Sequence, residues 1–450
     1  RLLVVHSPER GQVGYSRALA TEPIVIGREP TAQPCLVLRH GQVSRGHARI
    51  EPSADGGRYR ICDLGSRNGT FVNGRRVAES ELRDGDVIRI GNGLLLFQFL
   101  DLQACERVLD PAAPEGRIVG QGHAIARVRD AIAAAPLTAP TLIVGETGAG
   151  KELVALAIHE HSGRPGAFVP VNCSALPSNL VESELFGHVR GAFTGAEPRK
   201  GLIGRAERGT LFLDEIGEIG VEAQAKLLRA VALGEVRQVG SDSGRNVDVG
   251  IVAATNADLE AAVAQGRFRA DLYARLMSHI IAVPPLRARR EDVLPLCRHF
   301  LASAGNFEIT TDAAEALLAY DWPYNVRELE QMLAPIIARV AQNGVLELRD
   351  LPPRLRERLQ DRFEPTPAGD SRAVALLGIR RDATPTPEEL RRVVAVYQGN
   401  VAQVATFFRK DRRQIYRWAH AAGLDIKSAR DDAGALTLPP RTSPGEFDSE

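Results

Sequence analysis

One junction constrains this 450-residue chain more than any other. The apolar run Thr141-Leu142-Ile143-Val144 enters Gly145-Glu146-Thr147-Gly148-Ala149-Gly150-Lys151 and then a helix-forming segment that starts at Glu152. A buried strand, a glycine-rich turn closed by lysine and a helix together form the GxxxxGK arrangement of a P-loop. Backbone N–H groups at such a helix start can cradle phosphate oxygens, and Lys151 can reach the β and γ positions of a nucleotide. A strand–loop–helix unit of this kind belongs in an α/β sheet, so other apolar strands must end beside it. Thr210-Leu211-Phe212-Leu213 ends in Asp214-Glu215, and Val249-Gly250-Ile251-Val252-Ala253-Ala254 ends in Thr255-Asn256. Acidic and amide side chains at the carboxyl ends of parallel strands stand where metal, water and γ-phosphate are met.

At about 150 residues per domain, the length fits roughly three domains. A hydrophobic fraction of 44% and a charged fraction of 25% are ordinary for globular protein. The formal net charge is zero, so any nucleic-acid contact must come from a local patch. No apolar run approaches the roughly 18 residues of a membrane span, and the N-terminus lacks a signal-peptide pattern. A cytoplasmic protein without membrane contact is expected. Cys35, Cys62, Cys105, Cys173 and Cys297 are widely spaced and lack metal-ligand spacing, which suits isolated reduced thiols.

Residues 1–100 read as an all-β sandwich, with short runs such as Leu2–Val5, His47–Glu51, Arg58–Cys62 and Leu94–Phe99 separated by Gly-, Asp- and Asn-rich turns. Three turn clusters stand out: Gly27-Arg28, Ser44-Arg45-Gly46-His47 and Asp63 to Gly74. In that order they resemble a forkhead-associated (FHA) domain. The resemblance implies that Arg28 and Ser44 hold a phosphothreonine, that Arg45 assists and that Asn68 fixes the bound peptide backbone. His47 is expected to brace the Ser44 loop. Residues 101–116 read as a linker.

From Ile118 to Leu351 the chain resembles the AAA+ ATPase domain of bacterial sigma-54-dependent transcription activators, an α/β P-loop domain (117–355) with an α-helical lid (about 290–355). The matching segments include Glu184-Leu185-Phe186-Gly187-His188, Gly191-Ala192-Phe193-Thr194-Gly195-Ala196, Pro284-Pro285-Leu286-Arg287 and Trp322-Pro323-Tyr324-Asn325-Val326-Arg327-Glu328-Leu329. The resemblance implies ATP and Mg²⁺ as cofactors, with Gly145 to Glu152 as the phosphate loop. Asp214 would hold the metal and Glu215 would polarise the attacking water. Asn256 would sense the γ-phosphate, and Asn172 would link Glu215 to the loop at Gly191. Arg269 and Arg275 would reach the nucleotide of a neighbouring subunit, and Arg327 that of its own. Phe193 and Thr194 would touch sigma-54. Glu152 stands where a generic P-loop has Ser or Thr, Ala149 where this family usually has Thr, and Tyr324 where it usually has Gly. Lid helices are expected over Glu291–Ala302, Thr311–Tyr320 and Asn325–Ala341.

Residues 356–386 are punctuated by prolines and read as a linker with one short helix around Ala373–Gly378. Pro387-Glu388-Glu389 opens a helix, and Val401–Phe408 and Arg412–Ala422 follow, each with a capping residue before it. Lys and Arg exceed Asp and Glu by about four between Glu388 and Lys427. The order resembles the Fis-type helix-turn-helix (387–428) that ends many sigma-54 activators. Arg412, Arg413, Gln414, Tyr416 and Arg417 are then the candidates for contacts to double-stranded DNA, with Arg409-Lys410 at the turn in place of the usual Gly and aliphatic pair. A basic three-helix packing module is the plain alternative. Residues 429–450 have a disordered composition.

Taken together, the resemblances imply an FHA-controlled activator that assembles as a hexameric or heptameric ring, remodels the sigma-54 RNA polymerase closed complex with ATP, and meets a phosphothreonine-bearing protein or Ser/Thr kinase. Two rivals stand beside it: a remodeller of another protein partner, and an FHA phosphopeptide scaffold whose ATPase is vestigial.

Overall fold

Two strands near the N-terminus break the alternation expected of a sandwich, because Leu2-Leu3-Val4-Val5 and Leu94-Leu95-Leu96-Phe97 are apolar on both faces. Such a strand must be covered twice. In the computed structural model both runs are fully buried. The structure describes all residues except 20, 32–33, 54–56, 101–116, 137, 178, 193–196, 361–383, 397–400, 409, 411, 423 and 425–450. It divides into a unit over Arg1–Phe363 and a second over Glu364–Glu450.

The N-terminal sandwich packs a six-stranded sheet on a five-stranded one. The six-stranded sheet centres on Leu2–His6, Gly93–Phe97 and Val87–Ile90; the other centres on Ile24–Gly27, Ala48–Pro52 and Tyr59–Asp63. Leu2, Val4, Ile88, Leu95 and Phe97 meet Ile26, Ile50 and Ile61 between them. The alternate residues Leu3, Val5, Val87, Leu94 and Leu96 point the other way and join the core of the helical lid.

The central domain is a five-stranded parallel sheet in the order Phe168–Asn172, Thr210–Asp214, Gly250–Thr255, Thr141–Val144, Ile280–Ala282. Its registers align the functional ends, with Asn172 beside Asp214 and Val144 beside Thr255. Apolar residues on both faces are buried under helices, as parallel pairing requires.

The lid follows with helices Val293–Phe300, Thr311–Ala319, Asn325–Leu333 and Ile337–Asn343. The single helix expected over Asn325–Ala341 is broken by a 3₁₀ turn at Ala334–Ile336. Pro335 accounts for the break, since it has no N–H and its ring clashes with the preceding turn. The first lid helix also starts later than expected, after a 3₁₀ turn at Arg290–Asp292. A further helix, Pro353–Gln360, buries Leu355 and Leu359 in the lid core, so helical structure continues past residue 356, where the linker was expected to begin.

The C-terminal unit has helices Pro387–Val396, Val401–Phe407 and Arg412–Ala421. In a capping box before the first, the Thr386 N–H donates to the Glu389 carboxylate and the Glu389 N–H to the Thr386 hydroxyl oxygen, with Pro387 as the first helical residue. Leu390, Val393, Val394, Val404, Phe408, Ile415 and Ala419 form a core of their own. Lys410 N–H donates to the Ala405 carbonyl at 3.0 Å and closes the turn onto the preceding helix, while Arg409 lies outside the described residues, as do Ala373–Gly378 and the tail. No helix among the described residues is long and apolar enough to cross a membrane. Cys173 and Cys297 are buried free thiols whose pKa burial pushes up to about 12; Cys35 and Cys62 are free and half-buried, and Cys105 lies outside the described residues.

Candidate functional site

Parallel strands deliver their carboxyl ends to one edge of the central sheet, and the P-loop lies on that edge. Gly148 and Gly150 take positive φ of 75° and 103°, which frees the loop to turn its N–H groups inward. Gly148 is also fixed by space, because a Cβ there would come within 2.3 Å of the Tyr324 carbonyl. Lys151 opens the helix Lys151–Ser162 and is only 6% exposed. Its Nζ donates to the Gly145 carbonyl at 2.9 Å and stands 3.8 Å from Glu215 Oε1. Glu152 is exposed on the same first turn.

Glu215 follows the strand Thr210–Asp214 in a left-handed conformation, φ 53° and ψ 50°. That costs a non-glycine residue on the order of 1 kcal/mol, and it turns the carboxylate back over the sheet edge. Asn256 N–H approaches Glu215 Oε2 at 3.4 Å, and Asn256 Nδ2 donates to Thr147 Oγ1 at 2.9 Å. Asp214 accepts the Glu215 N–H at 3.1 Å through one oxygen. A lysine, two carboxylates and an amide thus converge beside the glycine loop, a donor set suited to a nucleotide phosphate with a hard divalent cation.

The remaining candidate residues are engaged in contacts of their own. Asn172 ends the neighbouring strand, and its carboxamide oxygen accepts from the Ser174 N–H at 3.0 Å and the Ser174 hydroxyl at 2.7 Å, capping a 3₁₀ turn. Arg269 forms a fork with Asp271 at 3.0 and 2.7 Å, and Arg275 is exposed on the helix Ala270–Leu276. Arg327 is exposed at the start of Asn325–Leu333, where the Val326 and Arg327 N–H groups reach the Gly148 carbonyl at 3.0 and 3.3 Å. Tyr324 has φ −107°, so its position does not need glycine; the left-handed residues here are Trp322 at 51° and Asn325 at 55°.

The segment between sheet and lid holds side chains that motif reasoning did not assign. Arg287 clamps the P-loop carboxylate Glu146 at 2.8 and 2.5 Å. Buried Asn325 donates to Glu146 at 3.1 Å and to the Thr147 carbonyl at 3.0 Å, and it accepts the Leu286 N–H at 2.7 Å. Buried Arg289 donates to the Ala149 carbonyl at 2.9 Å, and buried Asp292 accepts the Gln121 and Gly122 N–H groups at 2.8 Å each. The lid is therefore latched to the phosphate loop by named polar contacts. Only Arg289 and Asp292 of this set stand in a charged run, Arg289-Arg290-Glu291-Asp292, and that run does not name their partners.

Hydrogen bonds from Arg287 hold the Glu146 carboxyl near 2, below its ordinary 4.5. A depressed acid contributes fully above its unfolded pKa and loses that contribution as pH falls through the folded one. The latch is thus expected to stay ionised from pH 8 down to about 5, and to be lost only between about 4.5 and 2. Flat exchange protection of residues 145–152 across the upper range would bear this out.

In the sandwich the three turn clusters come together. Arg28 N–H donates to the Ser44 carbonyl at 2.9 Å, and a Cβ on Gly27 would lie 1.9 Å from the Arg45 carbonyl oxygen, which only glycine permits. His47 is fully buried; its Nδ1 accepts the Ser44 N–H at 3.2 Å, so its Nε2 carries the proton toward the Gly69 carbonyl at 3.2 Å. Burial lowers its pKa, in keeping with a neutral brace between two loops. Ser44 Oγ accepts the Arg67 N–H at 3.2 Å, and Asn68 Nδ2 donates to the Gln42 carbonyl at 2.6 Å. Arg28, Arg45 and Asn68 are exposed around Ser44.

A short two-stranded stem, Gly187–His188 against Arg199–Lys200, flanks the stretch Gly191–Ala196 in the sequence. Glu184 and Arg199 pair across its base at 2.5 Å, and Val189 N–H donates to the Val239 carbonyl at 3.1 Å. Phe193 and Thr194 lie outside the described residues. In the C-terminal unit Arg412, Arg413, Gln414, Tyr416 and Arg417 share the last helix, and Tyr416 and Arg417 are exposed. The side chains of Arg412 and Arg413 lie outside the described ones.

Three family models match: the Sigma-54 interaction domain over residues 118–282, the FHA domain over 24–91 and the AAA+ ATPase lid domain over 287–368. The nitric oxide reductase transcription regulator NorR1 of Cupriavidus necator is 44% identical over 328 residues, covering 70% of this chain and 63% of that protein. The regulatory protein LuxO of Vibrio cholerae serotype O1 is 42% identical over 332 residues, 69% of this chain and 62% of its own length. The anaerobic nitric oxide reductase transcription regulator NorR of Aeromonas hydrophila is 39% identical over 358 residues, 74% of this chain and 69% of that protein. The chain thus spans less than two thirds of NorR1 and LuxO.

Proposed function

Because the chain belongs to the family of transcription regulators built on a sigma-54 interaction domain with an AAA+ lid, we propose that it hydrolyses ATP to remodel the sigma-54 RNA polymerase closed complex. The observation that carries this is the convergence of Lys151, Glu215, Asn256 and Thr147 at one sheet edge, with the lid latched over the same loop. In this account the P-loop binds the phosphates, and Glu215 takes the proton of the attacking water. Asp214 would hold Mg²⁺, which supplies charge neutralisation at the transferring phosphoryl group when bound. Arg269 and Arg275 serve a neighbouring subunit of a hexameric or heptameric ring, where an exposed guanidinium can reach the partner's nucleotide. The second rival, a scaffold with a vestigial ATPase, is disfavoured by this intact set of groups.

Phe193 and Thr194 are the sigma-54 contact, in a stretch flanked in the sequence by the paired strands Gly187–His188 and Arg199–Lys200. The C-terminal helices place the protein on double-stranded DNA through Arg412, Arg413, Gln414, Tyr416 and Arg417. The FHA loops read a phosphothreonine through Arg28, Ser44, Arg45 and Asn68, on a cytoplasmic partner protein or kinase.

Binding of purified sigma-54 in the presence of an ATP transition-state mimic tests the main assignment. Wild type is expected to form a complex, and Thr194→Ala to lose it while still hydrolysing ATP. Equal binding by both would instead favour a remodeller of some other protein.

A further inference from the structure

The outer face of the FHA six-stranded sheet is covered by the lid. Leu3, Val5, Val87, Leu94 and Leu96 share one buried cluster with lid residues that include Leu317. Arg89 lies in the middle of this face and is 16% exposed. Its Nη1 donates to Asp312 at 2.5 Å and to the fully buried Glu315 at 3.0 Å, both on the lid helix Thr311–Ala319. Its Nε donates to the Gly91 carbonyl at 2.8 Å, which ties the turn after Ile90 to the same contact. From that turn the Asn92 carbonyl accepts the Thr311 hydroxyl at 3.3 Å.

The same turn touches the phosphate-reading loops. A Cβ on Gly91 would lie 2.8 Å from His40 Cε1 and 3.1 Å from Gln42, so the turn and the 40–44 loop are in close contact. Gln42 gives its carbonyl to Asn68, and the same loop ends at Ser44. Peptide site and lid helix are therefore separated by one loop, one turn and one arginine.

We propose that this face is a coupling surface, with Arg89 as its bridge, through which engagement of a phosphothreonine segment by Arg28, Ser44 and Asn68 shifts the lid over the nucleotide. The coupling rests on the phosphothreonine-binding role proposed above. A ligand can move the lid only by favouring one of two arrangements, and a turn gripped from both sides is an element that two arrangements can share. The Ser44 loop shifts on the phosphate, the turn follows it, and Arg89 passes the shift to Asp312 and Glu315. The lid helix leads into Asn325, which holds Glu146 and Thr147 of the phosphate loop.

The test is hydrogen exchange on the full chain with a degenerate phosphothreonine peptide mixture, its unphosphorylated counterpart as control, and peptide affinity measured in parallel. In wild type the phosphorylated mixture is expected to change exchange over Thr311–Ala319 and to shift KM for ATP. In Arg89→Ala peptide affinity stays, and both responses are lost. If Arg89→Ala does not fold, Asp312→Asn, at a half-exposed position, takes its place with a weakened response. Peptide binding without a lid response in wild type overturns the coupling, as does an undiminished response in either variant. Absence of any peptide binding removes the phosphothreonine role and the coupling with it, and the missing affinity identifies that outcome.

Discussion

Glu215→Gln is expected to lower ATP turnover by roughly 10²–10⁴-fold, the range for removing a positioned general base. Nucleotide affinity should change little. The substitution keeps the volume, and a glutamine oxygen can still accept the Asn256 N–H that Glu215 meets at 3.4 Å. What disappears is the negative charge over the sheet edge and the ability to take a proton. Binding rests on other groups, namely the N–H groups of Gly145 to Glu152 and the Lys151 ammonium. With Glu215 neutral, Lys151 loses a carboxylate 3.8 Å away and keeps its bond to the Gly145 carbonyl. Single-turnover hydrolysis beside equilibrium binding of a labelled ATP analogue separates the two effects. Turnover within tenfold of wild type would remove Glu215 from the role. A parallel loss of binding would mean that the left-handed backbone at φ 53° had collapsed.

How much of this was legible in the sequence follows from what each residue depends on. Strand ends were legible because apolar runs of four to six residues announce buried parallel strands, and Asp214, Glu215 and Asn256 lie at fixed offsets from them. The His47 brace was legible too, since a histidine three residues after Ser44 in a turn-rich sandwich has few partners besides the loops around it. The latch was not. Arg287, Arg289, Asp292 and Asn325 act across contacts that exist only once the lid has closed on the sheet, with sequence separations of 141 residues for Arg287–Glu146 and 179 for Asn325–Glu146. Spacing along the chain carries no trace of such pairs. The break at Pro335 has a plain sequence signal, because a proline inside a helical pattern either kinks or ends it. The double burial of Leu2–Val5 and Leu94–Phe97 was visible as a failure of alternation, but nothing local says which surface supplies the second cover.

Asn325→Asp tests the latch with the smallest possible change in shape. Aspartate tolerates the left-handed backbone at φ 55° nearly as well as asparagine, and Oδ1 still accepts the Leu286 N–H. The Nδ2 donor, however, becomes a carboxylate oxygen facing Glu146 at about the present 3.1 Å and the Thr147 carbonyl at 3.0 Å. Two hydrogen bonds are lost and two anionic groups are set against each other beside the phosphate loop. Losing two bonds, one of them to a charged partner, amounts to roughly 3 kcal/mol or about 100-fold, so kcat/KM for ATP is expected to fall by that order. Asn325→Gly keeps the backbone and adds no repulsion, but it also leaves the buried Leu286 N–H without its acceptor. The decisive arm is the double variant E146Q/N325D, in which a glutamine amide can donate to the new aspartate and restore the contact with the polarity reversed. Arg287 would still find one oxygen on that amide. If the latch acts as described, the double variant recovers part of what N325D loses, a coupling that simple destabilisation of the lid does not produce. Additive losses would show instead that Asn325 serves only its own turn, and that Arg287, Arg289 and the apolar contacts hold the lid without it.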